Sequence, residues 1–338
     1  MTMMRRWEMT GFGRGALQLR RVPIPEPRPG HVLVKAAAVA LNFRDKLVIE
    51  HGMGLALDFP FTPASDLAGA VAALGEDVTR FHLGDRVIST FFPGWIDGRS
   101  AGSAKTLDAR ALGGGHPGVL AEYVSLPEDW LVAAPRSLDA AEASTLPCAG
   151  LTAWFALVER GQLRAGQSVL VQGTGGVALF GLQIAKAHGA ETFVTSGSAE
   201  KRERARALGA NHVIDRDGWV ESVYRLTADR GIDHILELVG GAHVAKSLEA
   251  VAIDGHVSLI GVIEGFDLSA AAANVMLKSA TIQGIRVGHR RALEDLVRAV
   301  DVLNLKPVID RRYGLEDVPV ALDHLDRGPF GKIVITFD

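Results

Sequence analysis

The chain has 338 residues, 48% of them hydrophobic, with a formal net charge of −3. A balance this close to neutral excludes the electrostatic footprint of a nucleic-acid binder or of a protein held on an anionic membrane. The length favours two cores over one. No apolar run is long enough to cross a bilayer, because Lys35 interrupts the best candidate, VLVKAAAVAL. The N-terminus, MTMMRRWEMTGFG, lacks the apolar stretch of a signal peptide. A single cysteine, Cys148, rules out an internal disulfide framework. These features predict a cytoplasmic protein.

Residues 5–130 read as short β segments separated by Pro and Gly turns. HVLVKAAAVAL follows PIPEPRPG, GAVAAL precedes the turn GEDV, and DRVIST and LAEYVSL come later. Residues 93–118 form a long, Gly-rich, weakly periodic loop of the kind that is either a functional lid or disordered. After about residue 146 the pattern changes to strands alternating with helices. Strands are predicted over 168–172, 191–196, 212–214, 232–239, 256–260 and 280–287, and helices over 176–188, 199–208, 217–229 and 242–252. Strands that are apolar on both faces and separated by helices predict a doubly wound parallel sheet. A further helix spans 290–304, with Leu293, Leu296, Val297, Val300 and Leu303 on one face. The closing strand KIVITF most simply pairs back into the first domain.

The segment SVLVQGTGGVA (168–178) is a strand running into a glycine turn and then a helix. In that order Gly173 permits the turn and Gly175 lets the backbone approach a pyrophosphate. Ala178 allows close helix–strand packing, and the helix N-terminus receives the anion. Thr174, Gly176 and Val177 complete the predicted phosphate cradle. The second strand ends at Ser196 with no acidic residue and continues GSAEKRER. A carboxylate there would bind the ribose hydroxyls of NAD, so its absence, with Lys201 and Arg202 following, suits the 2′-phosphate of NADPH. Ser196, Ser198, Lys201 and Arg202 are the candidates. The competing reading makes the basic residues the solvated face of a helix, which suits Arg204 and Arg206 better.

Across essentially its whole length the chain resembles the medium-chain dehydrogenase/reductase superfamily, in its zinc-free quinone oxidoreductase-like and alcohol dehydrogenase-like branch. The resemblance rests on LNFRD (41–45), PASDLAGAV (63–71), VTRFHLGDRV (78–87), LPCAGLTAW (146–154), VLVQGTGGVA (169–178), ALGANHVID (207–215) and GKIVI (331–335). It implies an α/β architecture: a GroES-like β-rich catalytic domain (1–145 and 290–338) plus a Rossmann domain (146–289) with a doubly wound parallel six-stranded sheet. It also implies an active site in the cleft between them and a homodimer joined through strand 280–287. Relatives that use NADPH carry a lysine at the position of Lys201.

Zinc-dependent members hold the metal with two cysteines and a histidine. The corresponding positions here are Asn42, Ser65 and Cys148, with Asp66 as a fallback, and these do not make a tetrahedral zinc set. None of the eleven histidines is spaced three or four residues from another, so no helical metal motif replaces it. The sequence thus predicts no metal. Reduction of a conjugated carbonyl spreads the developing charge, so hydrogen-bond donors can stand in for a Lewis acid.

By resemblance Asn42 faces the cofactor and would donate to the substrate oxygen, while Asp45 would deliver or relay a proton. Asn-x-x-Asp also suits a helix start, and that alternative stays open. Thr152 sits where relatives place a threonine against the nicotinamide. Gly261 and Val262 sit where backbone groups hold the carboxamide, or else form an ordinary strand-end turn. Arg44 would anchor an acidic substrate group or, more simply, bridge to a neighbouring loop. Trp95 and His116 would line the substrate mouth or merely pack. The resulting expectation is an NADPH-dependent, zinc-independent oxidoreductase acting on a small-molecule quinone, enone or other reactive carbonyl. Its rivals are an NAD(P)-dependent alcohol or aldehyde dehydrogenase and a non-enzymatic, crystallin-like NADPH-binding protein.

Overall fold

The structure, a computed structural model, describes residues 2–337. The chain forms two compact units, one from the residues up to Leu151 together with those from Gly288 onward, the other from Thr152–Val287.

The first unit is built on a seven-stranded sheet. Its order is Ile309–Gly314, Lys332–Thr336, His31–Leu41, Asp66–Leu74, Arg86–Ser89 and Leu131–Ala133, with Tyr123–Pro127 also paired to His31–Leu41. The strand His31–Leu41 reads as almost uninterrupted apolar sequence because neighbours flank it and both its faces are covered. A register shift between Ala36 and Ala38 moves its alternation by one residue. Val32, Val34 and Ala36 face the main core before the bulge, and Val39 and Leu41 face it afterwards. Ala38 and Ala40 turn to a smaller cluster with Ala141 and Val334. The closing strand Lys332–Thr336 pairs antiparallel with His31–Leu41, as its pattern predicts.

In the second unit six parallel strands lie in the order His212–Ile214, Glu191–Thr195, Ser168–Gln172, Ile232–Glu237, Val251–Leu259, Thr281–Gly284. The strand order reverses beside Ser168–Gln172, which puts a ligand crevice at the carboxyl ends of that strand and of Ile232–Glu237. Helices Gly176–Ala187, Ala199–Ala207, Trp219–Thr227 and His243–Ala250 connect the strands. Leu170, Phe193, Ile235 and Val257 share a core with Trp219, Val223, Val244 and Leu248.

Several element bounds differ from expectation. The helix predicted to reach residue 252 ends at Ala250, because Val251 pairs with Ile232 and begins a strand expected only from 256. The strand predicted over 232–239 stops at Glu237, whose carboxylate accepts the N–H groups of Val239 and Gly240 and turns the chain. The strand predicted over 280–287 covers Thr281–Gly284, and Val287 lies at φ 52°, outside extended geometry.

The 93–118 segment is fastened rather than loose. The carbonyls of Trp95 and Ile96 accept from Arg290 and Arg291, and short strands form at Ala111–Leu112 and Gly115–His116. A Cβ on Gly118 would sit 2.3 Å from the carbonyl oxygens of Pro63 and Ala64. Only glycine allows that approach.

Candidate active site

The glycine turn takes the form its sequence predicts. Gly173 lies at φ 79°, and its N–H donates to Thr195 O at 2.9 Å. Gly175 caps helix Gly176–Ala187 and contributes no side-chain acceptor, so the N–H groups of the first turn point outward unsatisfied by a cap. A Cβ built on Gly173 or Gly175 meets nothing within 4 Å. This open cradle of backbone donors at the positive end of a helix fits a pyrophosphate. Ala178 is fully buried, as expected of a packing position. The tighter packing glycine, which the motif does not reveal, is Gly181: its Cβ would lie 2.6 Å from Leu236 Cδ1 and 3.0 Å from Val171 Cγ1.

At the end of the second strand, the N–H of Ser196 donates to Ile214 O at 3.0 Å, and Ser196 Oγ accepts from Ser198 N–H at 3.3 Å. Ser198 caps helix Ala199–Ala207, its Oγ accepting the Lys201 N–H at 3.3 Å. Arg202 is engaged internally. It donates to Ser196 O at 2.6 Å and pairs with Asp215 at 2.7 Å, so it braces the strand end. A residue not singled out from the sequence, Arg216, brings its guanidinium to 3.5 Å from the position a Cβ would take on Gly197. It is the basic residue just beyond the third strand, and only the sheet register places it against the second.

Gly261 and Val262 follow the fifth strand. The Gly261 N–H donates to Glu237 O at 2.9 Å, and a Cβ on Gly261 would lie 1.8 Å from Leu238 O. The two strand-end loops therefore stack backbone on backbone. Glu237, fully buried, is their hub. Its carboxylate accepts from Val239 N–H and Gly240 N–H at 2.9 Å each, from Gln172 Nε2 at 2.9 Å and from Ser247 Oγ, and it contacts His243 Nδ1 at 3.1 Å. Burial alone would raise this acid, but hydrogen bonds from His243, Ser247, Gly240 and Gln172 outweigh it and hold the pKa at about 2. Thr152 is buried on the helical turn Leu151–Trp154.

In the first unit, Asn42 ends the strand His31–Leu41 and caps helix Phe43–His51. Its backbone N–H donates to Asp45 Oδ2 at 2.8 Å. Asp45 therefore does serve the helix start, while the Asn42 side chain is turned elsewhere. Asn42 Nδ2 makes a long 3.5 Å contact to Ser65 Oγ, which donates to Asp66 Oδ1 at 2.6 Å. Asp66 Oδ2 accepts the Cys148 N–H at 3.1 Å. From the closing strand, Lys332 Nζ donates to Leu41 O at 2.7 Å and to Asn42 Oδ1. Lys332 was not a sequence candidate. Nothing in GKIVI separates a buried lysine from a solvated one.

The ionisable groups here respond to burial. Desolvation raises Asp45 to about 6 against the opposing pull of Arg44, whose Nη1 is 3.5 Å away. Burial also raises Asp66, with Lys332 opposing, and it raises the Cys148 thiol far above its ordinary range, with Asp66 adding to the effect. Burial and the neighbouring carboxylate both disfavour a Cys148 thiolate, the form a nucleophile needs. Arg44 spans to the neighbouring loop, donating to Leu112 O at 2.9 Å and Gly113 O at 3.3 Å. Trp95 and His116 pack against His289 and Trp130 respectively.

The four positions weighed for zinc, Asn42, Ser65, Asp66 and Cys148, do come together. Their oxygens are already committed, however: Asn42 Oδ1 accepts from an ammonium, and the Asp66 carboxylate accepts from Ser65 and from the Cys148 N–H. Among the described residues no group of three or more His, Cys, Asp or Glu side chains is placed to hold a metal ion. This set does not fit zinc.

Residues 28–136 match the family model for the alcohol dehydrogenase GroES-like domain, and residues 176–302 match that for zinc-binding dehydrogenase. A zinc-type alcohol dehydrogenase-like protein of Schizosaccharomyces pombe is 36% identical, with 98% of this chain and 97% of the relative covered. The chain belongs to the medium-chain dehydrogenase/reductase superfamily.

This medium-chain oxidoreductase is also 26% identical to human quinone oxidoreductase, over 96% of this chain and 94% of the human one. A solved structure from Sinorhizobium meliloti, described as a putative alcohol dehydrogenase, superposes with a TM-score of 0.97 at 63% identity, covering 100% of this chain and 99% of that one. The family uses a nicotinamide dinucleotide and acts on small molecules, and no helix among the described residues of this member is long and apolar enough to cross a membrane.

Proposed function

We propose that this oxidoreductase uses NADPH and, without zinc, reduces a quinone, an enone or another reactive carbonyl. The observation that carries the reading is the cluster around Asn42, where an amide donor stands beside Ser65 and Asp66 and the Asn42 and Asp66 oxygens are otherwise engaged. Bound NADPH would supply the hydride. The open helix N-terminus at 175–178 binds its pyrophosphate, and the loop at Gly261 and Val262 offers backbone groups to its carboxamide. Ser196, Ser198, Lys201 and Arg216 receive the 2′-phosphate, and Thr152 lines the nicotinamide side. Asn42 Nδ2 donates to the substrate oxygen as negative charge develops there. Asp45, capped against Asn42, holds that residue in place, and the proton comes from water.

A steady-state screen of NADPH and NADH against quinones, enones and aldehydes, on protein analysed for metal, tests this reading. Selective NADPH oxidation by a metal-free sample is expected. Alcohol oxidation that depends on added zinc would overturn it. That second reading, an alcohol dehydrogenase, draws support from the names of the S. pombe and S. meliloti relatives, of which only the first is called zinc-type. A protein that binds NADPH but turns over no acceptor would instead be a crystallin-like binder.

A homodimer belongs to the same proposal. The strand Thr281–Gly284 is at the edge of its sheet, and Ile282, Met276 and Leu277 are exposed beside it. An edge with apolar side chains around it invites pairing with a second copy.

A further inference from the structure

Lys332 is 4% exposed and Asp66 and Asp45 are 0% and 1% exposed, so three charged groups share the interior of the first unit. Arg44, half-buried, faces Asp45 from the same helix. Two buried carboxylates are thus set against two cations, one of them wholly enclosed. Burying a charge without compensation is costly, so this balance is a condition of the fold.

The ammonium also decides an orientation. Lysine has donors and no acceptor, so its bond to Asn42 must go to Oδ1. Nδ2 is then turned the other way, toward Ser65. That side of the amide lies 3.5 Å from Ser65 Oγ and also donates to the Asp66 carboxylate, so it is turned toward both. A cation drawing electron density to Oδ1 also makes the amide N–H groups stronger donors, since hydrogen bonds polarise one another in a low dielectric.

We infer that the Lys332 ammonium is the internal cation of this site. It takes the place a metal ion would otherwise fill among Asn42, Asp66 and Cys148, and it holds and polarises the Asn42 amide as a donor for the substrate oxygen. Lys332 is a positioning residue acting through Asn42. Its part in the reaction rests on the role proposed for Asn42, whereas its part as the resident cation does not.

A double-mutant cycle with a metal-binding arm tests both parts. Asn42→Ala should lower kcat about 100-fold, the scale of losing one oxyanion donor. Lys332→Met should lower it about 10-fold or more while NADPH affinity, read by fluorescence titration, stays within about twofold. The double variant should be no slower than Asn42→Ala alone. Lys332→Arg, which keeps the charge, should recover part of the loss. Multiplicative losses, or a Lys332→Met variant that changes only the melting temperature, would overturn the coupling. Equilibrium dialysis of the wild-type protein against zinc should leave less than stoichiometric metal, and one tightly held zinc per chain would overturn the internal cation even if Lys332→Met fails to fold. Failure of every acceptor to oxidise NADPH would refute the reductase reading and leave the dialysis arm to judge the cation.

Discussion

Gly175→Ala should stabilise the free protein and weaken cofactor binding. Gly175 has φ −78° and ψ −177°, a conformation alanine adopts without strain, and its added Cβ would meet no protein atom within 4 Å. Such a replacement stabilises by about 0.4–1 kcal/mol, because the unfolded chain loses freedom. Spread over a chain of this size, the melting temperature should rise by about 1–3 °C. The methyl group enters the space the pyrophosphate needs. Losing one charge-assisted N–H contact costs about 1.5–3 kcal/mol, which is about a 10- to 150-fold rise in the NADPH dissociation constant. Differential scanning fluorimetry without ligand and a fluorescence titration with NADPH measure the two effects on one preparation. Gly173→Ala serves as the contrast: at φ 79° alanine is strained, so stability should fall together with affinity. A Gly175→Ala protein that binds NADPH within about twofold of wild type, or melts lower, would refute the assignment of the open cradle to the phosphates.

Three further outcomes follow from the geometry. Arg216→Ala should raise KM for NADPH about 10-fold and leave that for NADH unchanged, the scale of one lost charge-assisted contact; an equal change in both would remove Arg216 from 2′-phosphate recognition. Glu237 has a pKa of about 2 in the folded state against an ordinary 4.5. Its contribution, about 3 kcal/mol by linkage, is therefore present above pH 4.5 and lost as pH falls toward 2. Denaturant melts should show a flatter acid limb for Glu237→Gln than for wild type, and parallel limbs would contradict the depressed pKa. Ile282→Lys should halve the mass seen by light scattering if the edge strand joins two copies, whereas an unchanged mass would place the interface elsewhere.

The parallel sheet was legible because its strands carry runs buried on both faces, as in SVLVQ, and helices such as Trp219–Thr227 carry one apolar stripe. Local sequence also encoded the glycine turn, since Gly173 and Gly175 act through their own backbones. The bounds that slipped are those set by partners. Val251 joins a strand because Ile232 is beside it, and the chain turns after Glu237 because that carboxylate reaches Val239 and Gly240. For the same reason the sequence could nominate Asn42 and Asp45 but not say what their side chains touch. Lys332 and Asn42 are 290 residues apart, and Arg216 meets Gly197 only through the order of the strands. Charge placed across a sheet leaves no periodic trace.

The strand Lys332–Thr336 has a consequence for how the protein is made. It sits beside His31–Leu41 in the middle of the first sheet, yet it leaves the ribosome after the whole of Thr152–Val287. During synthesis the Ala38–Leu41 end of that strand waits with one edge open until its neighbour arrives, the earlier part being covered by Tyr123–Pro127, while the dinucleotide unit, contiguous in sequence, can close first. Contacts this distant along the chain form slowly and leave unpaired edges exposed. A nascent chain stalled before residue 332 should therefore hold a finished nucleotide fold joined to an incomplete catalytic one, with neither the strand nor the cation that Asn42 needs.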